Sequence, residues 1–365
     1  MGFILGTGEP SKGRIAAFDI AKGVAIILVV YGHCLRGLIA GNAIEPQAPL
    51  FFSDYAIYTF HMPLFFVISG YFLDRSGKRD FGSVWRARIR TIAYPYFLWS
   101  LVHGGLLYAV SGSGLANNDM PFSRLLEIGW NPISPYWFLY ALFFAFALAA
   151  LLQKLPFEWM VALALSGFLG LFTAGPSVFL DIAYAFLYFS FGMLVRERGL
   201  MARLPSSPAG IVLLWLSFAA ATAASYLLGI PERLPLASAL IGLAAVFSTC
   251  LFLERRYSGA AVVRMLELLG QCSMGIFVLH IIVLAAIRLV LLRMLHVTEP
   301  SVLLAAGTIA GLLLPTVIQI VAVRMGLQNL LGLPSSAMAG VRPEAIVRQA
   351  EAVSRDNKRP ARPGL

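Results

Sequence analysis

Four of the chain's five histidines, His33, His61, His103 and His280, stand inside apolar stretches, and only His296 does not. An imidazole can take a proton from a hydroxyl and hand it on near neutral pH. Ionisable groups are costly in hydrocarbon, so each such histidine is a candidate for function. His33 closes the run FDIAKGVAIILVVYGH, eleven residues after Lys22. At 1.5 Å per residue the two share one helical face, about 16 Å apart. Asp19 lies a turn below Lys22, Ala25, Ile26 and Val29 line the stripe between, and Gly23 and Gly32 leave room for a close approach. Two readings stand side by side. The face lines a reaction path, or Lys22 snorkels to the headgroups while His33 bonds a neighbouring helix.

The other polar positions also carry two readings each. In YTFHMPLFFVISGYFL, His61 precedes Pro63, which frees a backbone carbonyl one turn earlier. That suits a cavity wall or a kinked packing helix. In the basic stretch DRSGKRDFGSVWRARIRTIAYPYFLW, Arg86 and Arg90 share a helical face with Arg88 between them. Guanidinium groups grip phosphate oxygens bidentately, but inside loops are basic for topology alone. Tyr136 and Trp137 open SPYWFLYALFF as an interfacial belt or a sugar-stacking platform. His280 lies two turns beyond Ser273 and faces the same cavity or packs.

The elements that must position these residues are set by composition. Of 365 residues 59% are hydrophobic and 13% charged, and mean hydropathy is +0.79. A soluble domain carries nearly twice that charge. Apolar runs long enough to cross the hydrocarbon core recur at 18–38, 52–73, 91–111, 135–153, 158–174, 177–195, 209–229, 235–253, 270–292 and 301–323. The chain thus reads as an all-α, polytopic integral membrane protein of about ten transmembrane helices. Lysine and arginine collect on the side that holds both termini, so both termini are expected in the cytoplasm. The other side keeps Arg36, Arg124, Arg233, Arg288 and Arg293, with Asp54 and Asp181 near helix ends.

The net charge of +10 then reflects topology and anionic lipid, not nucleic acid. Cys34, Cys250 and Cys272 have no ligand or disulfide spacing, so neither a metal site nor a disulfide framework is expected. Residues 1–330 read as one membrane-embedded domain. Residues 331–365, polar with scattered prolines and charges, read as a flexible basic cytoplasmic tail.

The ordered set of FDIAKGVAIILVVYGH, FHMPLFFVISGYFL, the Arg86–Arg90 stretch with Pro95, YWFL and SMGIFVLH resembles acyltransferase family 3. These are integral membrane O-acyltransferases, and the opening is similar to the fucose 4-O-acetylase-like branch. The family's first-helix motif, a basic residue and a histidine separated by ten residues, falls on Lys22 and His33. The basic position is commonly arginine there, so Lys22 keeps the charge without the fork.

The resemblance implies acetyl transfer from cytoplasmic acetyl-CoA to a hydroxyl of a saccharide: a surface polysaccharide, an O-antigen or a lipo-oligosaccharide sugar. It implies the bacterial cytoplasmic (inner) membrane, and no metal. In that scheme His33 is the general base, and Asp19 and Lys22 organise the cytoplasmic end. His61 orients the acceptor or stabilises the oxyanion. Arg86, Arg88 and Arg90 meet the CoA phosphates, and Tyr136, Trp137 and His280 meet the acceptor. The rival is a proton-coupled transporter or flippase of a glycan or small metabolite. Mid-membrane carboxylates and internal repeats, frequent in such proteins, are missing from the sequence.

Overall fold

The computed structural model describes residues 16–45, 48–73, 81–113, 115, 117 and 119–333. Among them there is no strand. Arg75, Lys78 and Arg79 of the basic stretch, and the expected tail beyond residue 333, lie outside the described residues.

The helices are α1 (Ala16–Ala40), α2 (Ala48–Tyr71), α3 (Phe81–Arg88), α4 (Tyr94–Ala109), α5 (Phe122–Leu126), α6 (Trp137–Leu151) and α7 (Phe157–Thr173). They continue with α8 (Val178–Glu197), α9 (Pro208–Leu227), α10 (Leu236–Tyr257), α11 (Ala261–Gln271), α12 (Ser273–Leu289) and α13 (Pro300–Arg324). Seven helices are long and apolar enough to cross a membrane: α1, α2, α8, α9, α10, α13, and α12 with the π turn that extends it to Met294. Three further apolar helices are shorter: α4, α6 and α7. The chain is a multi-pass membrane protein.

Local sequence explains the breaks. α1 runs 25 residues without a proline and stops at Asn42, whose φ of 52° is left-handed and suits asparagine. α3 passes through a π turn, Ile89–Ala93, straight into α4. Pro95, at the head of α4, has no N–H to continue the ladder, and the helix widens just before it. One element had no counterpart in the hydropathy pattern. α11 is amphipathic, burying Val263, Leu269 and Gly270 while Arg264 is exposed.

α1 is the central helix, packed by α11, α2, α12, α13 and α10, and α2 packs on α8. At the Lys22 end these contacts are backbone to backbone. A Cβ on Gly270 would lie 1.8 Å from the carbonyl oxygen of Asp19, and one on Gly23 would lie 2.1 Å from that of Leu266. The α2–α8 seam repeats the device, with Gly70 against Phe189 and Gly192 against Val67. Toward the Arg36 end the helices diverge around a cavity. Leucines on α9 and α13 such as Leu213, Leu216 and Leu313 are exposed, as a lipid-facing surface requires.

Candidate active site

The cavity has a volume of about 630 Å³, within the range of small-molecule sites. Three helices each bring a histidine to its wall: His33 from α1, His61 from α2 and His103 from α4. His280 of α12 packs against His33, with ring centroids 5.2 Å apart. Their hydrogen bonds set their chemistry. His61 Nδ1 lies 2.7 Å from the Ile57 carbonyl, and a carbonyl only accepts. Nδ1 therefore carries the proton, and the neutral ring presents Nε2 as an acceptor. His280 is fixed likewise, its Nδ1 donating to the carbonyls of Ile276 (3.0 Å) and Phe277 (2.7 Å). His33 is half-buried and forms no hydrogen bond to any described residue, so its imidazole is free to meet a ligand.

Beyond the histidines the cavity mouth is charged. Arg36, one turn outward of His33, makes a forked bond to Asp54, with Nε–Oδ1 at 2.9 Å and Nη2–Oδ2 at 2.7 Å. The same guanidinium reaches Glu232 at 2.7 Å and lies 3.2 Å over the centre of the Tyr58 ring. Tyr58 in turn meets His61 edge-on, with centroids 4.6 Å apart. The next loop residue, Arg233, pairs with Asp181 of α8 at 2.6 Å and stands 5.1 Å over Trp137. One short loop thus ties α1, α2 and α8 together across the mouth.

The sequence candidates divide between two places. His33, His61 and Trp137 line the cavity, and His280 supports it. Tyr136 is fully buried and donates its hydroxyl to the Val278 carbonyl at 3.0 Å, so it holds α6 to α12. Asp19 and Lys22 form an ion pair of 2.7 Å at the opposite end of α1, away from the cavity wall. Arg86 and Arg90 are exposed on α3 and the π turn, whereas Arg88 turns inward with its guanidinium 4.0 Å over the Phe146 ring. Among the described residues no cluster of three metal-ligating side chains occurs.

Sequence reasoning gave no role to His103, Tyr58, Arg36, Asp54, Glu232, Arg233 or Asp181. The usable signal was charge: Arg36, Arg124 and Arg233 on the far side have their partners among the few acids there.

The acyltransferase-domain family profile matches residues 15–320, a stretch that contains every one of these residues. The chain belongs to acyltransferase family 3. Within curated proteins it is similar to nodulation protein NolL of Sinorhizobium fredii, 32% identical over 194 residues, covering 51% of this chain and 50% of that protein. It is similar to nodulation protein NolL of Mesorhizobium japonicum at 32% identity over 144 residues, 39% of this chain and 37% of the relative. The match therefore spans half the length of these relatives or less. No solved structure matches the chain. Family membership makes the chain an acyltransferase, and acyl transfer requires an acyl donor and an acceptor.

Proposed function

We propose that this protein is an O-acetyltransferase of the bacterial inner membrane, moving an acetyl group from cytoplasmic acetyl-CoA to a saccharide hydroxyl, as in the fucose 4-O-acetylase-like branch. The observation that carries this reading is the unbonded His33 in a cavity walled by two further histidines. In this reading the three shorter apolar helices complete a set of ten, and both termini face the cytoplasm.

The acceptor enters at the Arg36 end, and His33 takes the proton of its hydroxyl. The oxygen attacks the thioester carbonyl, the new C–O bond forms and the C–S bond breaks. The proton returns from His33 to the departing CoA thiolate. His61, with Nε2 bare, orients the acceptor by accepting from a second hydroxyl beside the reacting one, a role its tautomer fits better than donation to an oxyanion. The donor approaches from the Lys22 end, its phosphates met by the exposed Arg86 and Arg90 while Arg88, turned onto Phe146, anchors that helix, with Lys22 and Asp19 ordering that end. Trp137 and Arg233 wall the sugar.

The test uses purified full chain in nanodiscs with acetyl-CoA labelled in the acetyl group. Release of free CoA is followed with and without a pool of host glycans. We expect glycan-dependent release, and a fall of about 100-fold or more in His33→Ala with the variant still folded. Full activity in that variant removes His33 as the base. No turnover by folded wild type with any glycan pool moves the reading to a transporter.

A further inference from the structure

Three arginines line the cavity: Arg36, Arg233 and Arg288. Two are neutralised by carboxylates, Arg36 by Asp54 and Glu232, and Arg233 by Asp181. Arg288 is not. Among the described residues its one hydrogen bond runs from Nη1 to the Gly37 carbonyl at 2.9 Å, and no carboxylate there meets it. A cation inside a membrane span is expected to be paired, and here the partner's place is open to the cavity. The side chain lines the cavity, and its bond to Gly37 turns it toward α1 and not toward the bilayer.

Position adds the distance to the chemistry. Gly37 stands one turn beyond His33 on α1, about 6 Å further along the axis. A ligand whose hydroxyl meets His33 would carry a second group to Arg288 within the reach of one sugar ring and its neighbour. The three arginines and three carboxylates of the mouth cancel overall, so it is the local charge of Arg288 that selects the sign of that group. Guanidinium Nε and Nη2, free of bonds to described residues, form a fork that matches two oxygens of an oxyacid.

We propose that Arg288 seats an acidic group of the acceptor, a carboxylate, phosphate or sulfate, so that the acceptor class is an acidic glycan. The proposal rests on the acyl-transfer reading for its setting, and its test reads binding, not turnover. The full chain is melted in maltoside micelles with tri-galacturonic acid, or with the same trimer fully methyl-esterified. The acid should raise the wild-type melting temperature and the ester should not. Arg288→Gln should lose the response, its apparent affinity falling roughly tenfold or more. Arg288→Lys, which keeps the charge without the fork, should respond at reduced affinity, and this variant decides the matter if the glutamine one does not fold.

Equal stabilisation of wild type by acid and ester would overturn the proposal. So would an undiminished response to the acid in Arg288→Gln, or a lysine variant with wild-type affinity. An Arg288-dependent shift given by phosphatidylglycerol and not by the trimer would assign the cation to a lipid headgroup, and also overturns it. Absence of CoA release with every acceptor would remove the acyl-transfer reading while leaving the melting result standing.

Discussion

The two ends of α1 hold their neighbours by different means. At the Lys22 end glycines bring backbones together: Gly23 and Gly270 seat α11 on α1, and Gly70 and Gly192 seat α2 on α8. At the Arg36 end side chains span a gap, with Arg36, Asp54, Glu232, Arg233 and Asp181 linking helices across the mouth. Close backbone packing along these two seams fixes helix positions firmly. Long charged side chains give less rigidity but keep a cavity open. The comparison implies that the closely packed end supplies the stability with which the open end can hold a cavity beside His33.

The largest test of that division is Gly270→Ala. Its new methyl would meet the Asp19 backbone, which cannot swing aside, and we expect a loss of about 3 kcal/mol, at the upper end of overpacking effects. Gly37→Ala, on the same helix system but at the cavity, has nothing within 4 Å of the new Cβ. There the helix should gain about 0.5–1 kcal/mol from alanine's better propensity. Denaturation midpoints in mixed micelles measure both. Equal effects at the two sites would break the comparison.

Next in size is Arg36→Gln. Removing one partner of a buried ion pair costs several kcal/mol, but this side chain is 39% exposed, and solvent screening lowers the expectation to about 1–2 kcal/mol. A double-mutant cycle with Asp54→Asn should show coupling, because the forked pair acts as a unit. Additive losses would mean that the mouth is held by packing alone.

How much of this was legible beforehand follows the physics of range. The spans could be read because each depends on a local run of apolar residues, and Lys22 and His33 share a helix face through helical geometry alone. The Arg36–Asp54–Glu232 cluster joins residues up to 196 apart in sequence, and no local pattern encodes that meeting. His103 was visible as an intramembrane histidine, but its place on the wall of the cavity that His33 lines depends on how α4 leans toward α12. α11 escaped because eleven residues with Arg264 and Glu267 among them average to a polar window, although its apolar spacing is helical. The inward turn of Arg88 escaped because the π turn beginning at Ile89 breaks the simple spacing from Arg86 to Arg90.

The basic helix gives a smaller, separable effect. Arg86 and Arg90 are exposed, and exposed charges add little stability. Arg86→Ala with Arg90→Ala should therefore change the unfolding midpoint by under about 0.5 kcal/mol. If these residues meet CoA phosphates, the KM for acetyl-CoA should rise, and the wild-type KM should rise with salt as screening predicts. An unchanged KM with unchanged salt dependence would remove them from the donor site.

The smallest expected effect lies at an ion pair outside the membrane spans, with both side chains about a third exposed. Between α4 and α6, Glu127 accepts from Arg124 at 2.8 Å and from Asn131 at 2.9 Å. The bond from Arg124, and then that from Asn131, holds its carboxyl below the ordinary carboxylate value. A depressed folded value means that the clasp contributes above the ordinary carboxylate range and is lost as pH falls through the folded value. The Asn131 amide donates to the Glu127 carbonyl at 2.8 Å, so its hydrogen exchange, corrected for intrinsic rate, should speed up only in that acid window. Glu127→Gln, which cannot titrate, should give a flat profile. The same acid response in both proteins would mean that the loop is held by Tyr140, whose hydroxyl donates to the Gly129 carbonyl at 3.2 Å, and not by charge. Because Glu127 is 35% exposed and Asp54 17%, water screens this clasp more than the one at Arg36, and a clear difference in size between the two would show that ion pairs hold the open end in proportion to the burial of their carboxylates.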